Sequence, residues 1–187
     1  MATIASKKLK KRWVSIYSQR QFFKGQEIGE TFTSDPTATV GKVLNINLMN
    51  LTGDPKKQSF NARFKVTGSE EGKAVADFIG YQMGTSQIKR LVRKATNKIE
   101  DSFDVETKDK VKLKIKPLLL TRNLAHNSVL TSLRKQTREF VANRFKETDY
   151  SSIVSEIISG KLQKDIKLTL KKTYPINIVE IKTLKKL

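Results

Sequence analysis

The alternation of apolar and polar positions changes period near the middle of the chain. Up to about residue 84 the period is two. Within residues 40–48, Leu44, Ile46 and Leu48 point one way and Val43, Asn45 and Asn47 the other, which predicts a strand. Thr52-Gly53-Asp54-Pro55 predicts a turn. Phe60, Ala62, Phe64 and Val66 then alternate with Asn61, Arg63, Lys65 and Thr67. After the loop Gly68–Gly72 the alternation resumes with Ala74, Ala76 and Phe78, a spacing that predicts a hairpin of half-buried strands. Trp13 leads into a further strand-like run.

Beyond residue 84 helical spacing enters. Thr85 or Ser86 can cap a helix whose stripe is Ile88, Leu91, Val92, Ala95 and Ile99. Val111, Leu113 and Ile115 return to period two, with Lys110, Lys112, Lys114 and Lys116 on the other face. Asn127 or Ser128 begins a helix that turns Val129, Leu130, Leu133, Phe140, Val141 and Phe145 inward and Arg134, Lys135 and Arg138 outward. Ser151 or Ser152 begins another, on Ile153, Val154, Ile157 and Ile158, which Gly160 ends. A short helix over 161–172 uses Leu162, Ile166 and Leu170 and closes at Thr173-Tyr174-Pro175. Ile176, Ile178, Val179 and Ile181 form a last strand. The pattern predicts an α+β protein without internal repeats. A flexible basic arm over 1–12 precedes a single domain over 13–187, strand-rich to residue 84 and mixed from 85 onward.

Charge adds a partner to this picture. The 187 residues hold 37 Lys and Arg against 18 Asp and Glu, a net charge of +19. Residues 1–24 carry +7 and no acid, residues 25–83 carry −1, and residues 84–187 carry +13. A near-neutral body with basic flanks predicts contact with a polyanion. Three surfaces stand out. Lys7, Lys8, Lys10, Lys11 and Arg12 form a Lys-dense arm beside Trp13, suited to nucleic acid, or else a solvated terminus or an import segment. Trp13 itself suits either a core position or stacking on a base.

The second surface is the predicted helix 85–99, where Lys89, Arg90, Arg93, Lys94 and Lys98 are not interrupted by an acid. Arg90 and Lys94, Lys89 and Arg93, and Lys94 and Lys98 are like charges four apart, which destabilise an isolated helix unless a polyanion compensates them. RNA contact, an ordinary solvated face and a membrane-lying helix are the three readings. The third surface is Lys110, Lys112 and Lys114, with Lys116. Their spacing of about 7 Å fits successive phosphates, or the protection of an edge strand against aggregation.

Catalytic chemistry is not apparent. With no cysteine there is no disulfide, thiol nucleophile or Cys-based metal site. His126 is the one histidine and has no nucleophile beside it in sequence. Glu100, Asp101 and Asp104, expected at a helix end, lack a metal-ligand pattern, so neither a metal nor a cofactor is expected. The loop from Gly68 to Lys73 imitates a phosphate loop. It is one residue short, has Ala74 where a hydroxyl is needed, and carries Glu70 and Glu71. No apolar run could span a bilayer. The chain is expected not to be an enzyme.

The residues also match a known pattern. The block Phe78-Ile79-Gly80-Tyr81-Gln82-Met83-Gly84-Thr85-Ser86-Gln87-Ile88-Lys89-Arg90-Leu91-Val92-Arg93-Lys94 resembles the most typical stretch of the S-three-A-e (S-one-e) family of small-subunit ribosomal proteins of archaea and eukaryotes. Lys11-Arg12-Trp13, Glu27-Ile28-Gly29-Glu30-Thr31, Gly41-Lys42-Val43 through Leu48, Leu51-Thr52-Gly53-Asp54 and Thr173-Tyr174-Pro175-Ile176 extend the resemblance along nearly the whole chain. It departs at Lys42, Asn45 and Asn50, where the family has Arg, Glu and Asp, and at Asp109-Lys110, where an Asp-Gly turn is expected. The resemblance implies a mostly antiparallel, β-barrel-like body with several helices packed on it. It implies a structural part in translation, in cytoplasmic ribosomes. The place is the small-subunit platform near the mRNA exit and the 3′ end of the small-subunit rRNA. The implied partners are that rRNA, platform proteins including the S-eleven family, and mRNA near the exit. A free RNA-binding module acting off the ribosome is the alternative.

Overall fold

The computed structural model describes residues 10–19, 23, 25–70 and 72–187. Lys7 and Lys8 of the predicted arm, and Glu71, lie outside the described residues. Among the described residues there are nine strands and five α-helices, an α+β chain as expected. The chain divides into two compact units, residues 1–46 with 63–78, and residues 47–62 with 79–187.

The first unit is built from β1 (Arg12–Ser18), β2 (Glu27–Thr33), β3 (Val43–Asn47) and parts of β4 (Phe60–Glu70) and β5 (Lys73–Met83). β1 runs antiparallel to β2, with Trp13 opposite Phe32, and parallel to β5 over residues 16–18 and 74–76. Alternation then sorts the side chains. Val14, Ile16, Phe64, Val66, Ala74, Ala76 and Phe78 are buried, and the rings of Phe23, Phe64 and Phe78 pack with centroids 5.6–6.2 Å apart. Edge-on aromatic contacts of this kind add to the burial of about 1.5–3 kcal/mol per large apolar side chain. β4, to Glu70, and β5, from Lys73, pair where the alternation predicts a hairpin, with longer strands than it suggests.

The strand predicted over 40–48 is shorter than its alternation suggests. Gly41 takes a left-handed φ of 89° and begins the strand late. At the other end the Asn47 side chain accepts from the Met49 N–H at 2.9 Å and turns the chain into α1 (Leu48–Thr52). Leu48 is therefore buried from a helix.

The second unit adds α2 (Thr85–Leu91), β6 (Lys98–Glu100), β7 (Phe103–Glu106), β8 (Lys112–Thr121), α3 (Asn127–Glu147), α4 (Tyr150–Ser159), α5 (Lys161–Leu170) and β9 (Ile176–Lys186). β8 is its central strand, flanked by β9 on one side and by β6 and β7 on the other, all antiparallel. Pro117 sits where the β8–β9 register slips, the one kind of inner-strand position at which a missing N–H is tolerated. β5 lies against β9 so closely that a Cβ on Gly80 would stand 2.8 Å from the Leu184 carbonyl oxygen. Leu133, Thr137, Val141 and Phe145 of α3 are buried, as are Ile153, Val154 and Ile157 of α4 and Leu162, Ile166 and Leu170 of α5. Gly160, at φ 76°, ends α4 and starts α5. Across the whole chain strand pairing follows β2-β1-β5-β9-β8-β6, with β4 carrying β3 and pairing with β5, and β7 on β8. Among the described residues the pairing is thus mixed, with β1 parallel to β5, and the strand order does not close. The implied barrel-like body is met only in this loose sense.

Candidate nucleic-acid interface

The basic segments expected to meet a polyanion are held in three different ways. At the start of the described chain Lys10 and Lys11 are exposed. Arg12 is the first residue of β1, paired with Thr33. Its guanidinium lies 3.9 Å from where a Cβ on Gly72 would stand. Trp13 is not in the core. It is 67% exposed and packs on Phe32, 52% exposed, with ring centroids 5.3 Å apart. The alternation of β1 explains this: Val14 and Ile16 take the buried face, so Trp13 takes the other.

The helix predicted over 85–99 ends at Leu91. Val92 is extended, Ala95 takes a left-handed φ of 62°, and Lys98–Glu100 is strand β6. Two forces end the helix. Continuing it would stack Arg90 on Lys94 and Lys94 on Lys98. The chain instead gains a sheet ladder and a pinned loop. The Asn97 carbonyl accepts from the Thr121 N–H, the Asn97 N–H donates to Thr121 Oγ1 at 2.8 Å, and Asn97 Oδ1 accepts from the Ala125 N–H at 2.7 Å. Lys89 and Arg90 are therefore on α2 and Arg93 and Lys94 on the following loop. All four are exposed, in a stretch of six residues without an acid. Arg90 donates to Gln87 Oε1. Lys98 stands apart from them on β6, 3.4 Å from Glu100.

The third group is also rearranged. Lys110 is in the turn before β8, with a left-handed φ of 59°. Lys112, Lys114 and Lys116 do line one face of β8. β8 is an inner strand, so the edge-protection reading does not hold. The face is also not purely basic: Lys112 is opposite Glu106, and Lys114 is 3.5 Å from Asp104. On the β9 side Lys114 meets Lys185, an exposed cation that the sequence pattern did not single out. Only the register of β9 against β8 brings it there.

The carboxylates form no centre. Glu100, Asp101 and Asp104 lie on strands and the link between them, rather than at a helix end, and each is taken by a cation. Lys182 donates to Glu100 at 3.1 Å, and Arg138 donates to both oxygens of Asp101 at 3.0 and 3.1 Å. Burial raises the pKa of Glu100, but the Lys182 hydrogen bond and the charges of Lys182 and Lys98 outweigh it, so the net direction is down. His126 is exposed at the start of α3. Among the described residues no His, Asp and Glu group could hold a metal ion, and no helix is long and apolar enough to cross a membrane.

Exposed cations on an α+β body, with Glu100, Asp101 and Asp104 each paired to a cation, define a basic α+β protein without a carboxylate centre among the described residues. The chain belongs to the Ribosomal S3Ae family, which matches residues 3–187. It is 31% identical over 175 residues to the small ribosomal subunit protein eS1 of Saccharolobus solfataricus, covering 94% of this chain and 84% of the relative. The protein of the same name from Saccharolobus islandicus is 30% identical over 183 residues, 98% of this chain and 88% of the relative. That from Methanothrix thermoacetophila is 31% identical over 172 residues, 92% and 81%.

Proposed function

We propose that this chain is a structural, non-enzymatic protein of the small ribosomal subunit that binds rRNA in cytoplasmic ribosomes and supports translation. The observation that carries the reading is the family match over residues 3–187, joined to relatives named for the small subunit. The exposed cations fit such a role, because A-form RNA hides base edges and is held by phosphate and shape. Lys89, Arg90, Arg93 and Lys94 form the clamp with the fewest competing acids. Lys7, Lys8, Lys10, Lys11 and Arg12 form an arm, and Lys98, Lys110, Lys112 and Lys114 a weaker, part-neutralised surface. The location is the platform, near the rRNA 3′ end, the mRNA exit and the S-eleven family protein.

Sucrose-gradient fractions of cells that make the protein test this reading. The protein should sediment with small subunits at physiological salt. Finding it only in free fractions would favour a module acting off the ribosome. Replacing Arg90, Arg93 and Lys94 by Gln should weaken rRNA binding and flatten its log–log salt dependence by roughly 0.7–0.9 per lost phosphate contact. An unchanged slope would remove this clamp from the interface.

A further inference from the structure

We propose that the Trp13–Phe32 pair is a stacking platform for an unpaired RNA base, approached from the Lys10–Arg12 side. The inference deepens the RNA-binding reading and rests on it. The two rings face each other across β1 and β2 and are both more than half exposed. Two large aromatic side chains exposed side by side are a patch and not scattered surface. They are fixed there by register. Val14 and Ile16 fill the core face of β1, and turning Trp13 inward would require slipping the strand by one residue.

Charge selects the occupant. Lys10, Lys11 and Arg12 are exposed immediately before Trp13, and the sequence has no acid before Glu27. Lys11, exposed just before β1, is two residues from Trp13. Further along the Trp13 face the charges are mixed, with Glu30 opposite Ser15, Glu27 opposite Tyr17, and Lys73 Nζ 5.0 Å from the Tyr17 ring centroid. The acid-free cations before Trp13 therefore mark the side from which a chain of phosphates reaches the rings. An apolar surface with cations at one side fits one nucleotide unit, a flat base and its phosphate. A duplex keeps its bases stacked inside and cannot use the rings.

Trp13 is the only tryptophan, so its emission reports on the platform directly. The full chain is titrated with an oligouridine single strand and, separately, with a blunt RNA duplex. The single strand should quench Trp13 emission and the duplex should leave it nearly unchanged. Trp13→Ala should weaken single-strand binding by about tenfold, and Trp13→Phe should retain most of it. Binding of the single strand with Trp13 emission unmoved, or with equal affinity in Trp13→Ala, overturns the platform and leaves rRNA binding standing. Failure of both RNAs to bind at any salt overturns the platform and the RNA-binding reading together. The wild-type titration needs no variant, so a folding defect in Trp13→Ala cannot obscure the result.

Discussion

Glu180 stands on β9 opposite Leu118, whose side chain is fully buried. Burial pushes its carboxyl up to about 7. The Tyr81 hydroxyl is pushed up as well, by burial first and by the Glu180 charge second. The consequence for stability has a definite sign. Below the unfolded-state value both states hold the proton and burial has no electrostatic cost. Between about 4.5 and about 7 the folded state holds more protons than the unfolded one, so stability falls as pH rises through that window. Glu100 has the opposite sign. Its lowered value adds stability above the usual carboxylate range, lost on acidification. Glu180→Gln removes only the first effect. Relative to that variant, the wild type should lose roughly 1–3 kcal/mol between about pH 5 and about pH 8, read from urea midpoints. Parallel pH profiles would show that Glu180 ionises freely in the fold. A second residue stores strain. Lys110 takes a left-handed φ where the family resemblance leads one to expect Gly. Its neighbour Asp109 accepts from the Tyr150 N–H at 2.9 Å, which fixes the turn against the start of α4. Lys110→Gly should leave that contact intact. It should raise stability by up to about 1 kcal/mol, the relieved strain less the extra freedom of Gly in the unfolded chain, as measured by denaturant titration.

Elements were legible where one face alone decides. The alternation of Ala62, Phe64 and Val66, and the stripe of α3 through Leu133, Val141 and Phe145, survive in the structure because these residues are buried. The capping glycine between α4 and α5 was equally visible, since its conformation is a local property. What could not be read was competition between distant segments. Residues 92–99 carry an apolar stripe at helical spacing, yet Thr121 and the β8 ladder claim their backbone and Ala125 claims the Asn97 side chain, all about 20 or more residues away. The same holds for the candidate site. The lysine face of β8 was foreseen, but its neutralisation by Asp104 and Glu106 and its extension by Lys185 depend on register with β7 and β9. The pattern leaves Trp13 open between core and surface because an aromatic at the start of a strand has two faces to choose from, and the structure exposes it. The loop argument is testable at Asn97. Asn97→Ala leaves the Ala125 N–H without its side-chain acceptor and should cost about 1–2 kcal/mol. Amide exchange should quicken first at residues 93–98 and at Ala125, ahead of the core of β8. Uniform loss of protection across the sheet would show that the loop is not an independent clasp.

At the scale of the whole molecule, the same charge acts in opposite directions on folding and on binding. Net charge of +19 makes the folded chain repel itself, because folding brings cations closer than they are in the expanded chain. Only some of this is answered internally. Lys114 has Asp104, Lys98 and Lys182 share Glu100, and Arg138 has Asp101, whereas Arg93 and Lys94 are exposed in a stretch without an acid. Simple salt screens the repulsion over a Debye length that shrinks from about 30 Å at 0.01 M to about 10 Å at 0.1 M. Melting temperature of the isolated chain should therefore rise as sodium chloride is added over that range. RNA binding should weaken over the same range, because salt reduces the gain from releasing counterions. In a complex held at low salt, RNA should raise the melting temperature more than screening alone does, since it both neutralises cations and binds the folded state preferentially. Thermal scans across a chloride series, with and without rRNA, measure both slopes on one sample. A melting temperature that falls with added chloride in the free chain would mean that its ion pairs outweigh its repulsion. The excess charge would then have to be regarded as already accommodated within the fold, rather than held ready for a polyanion.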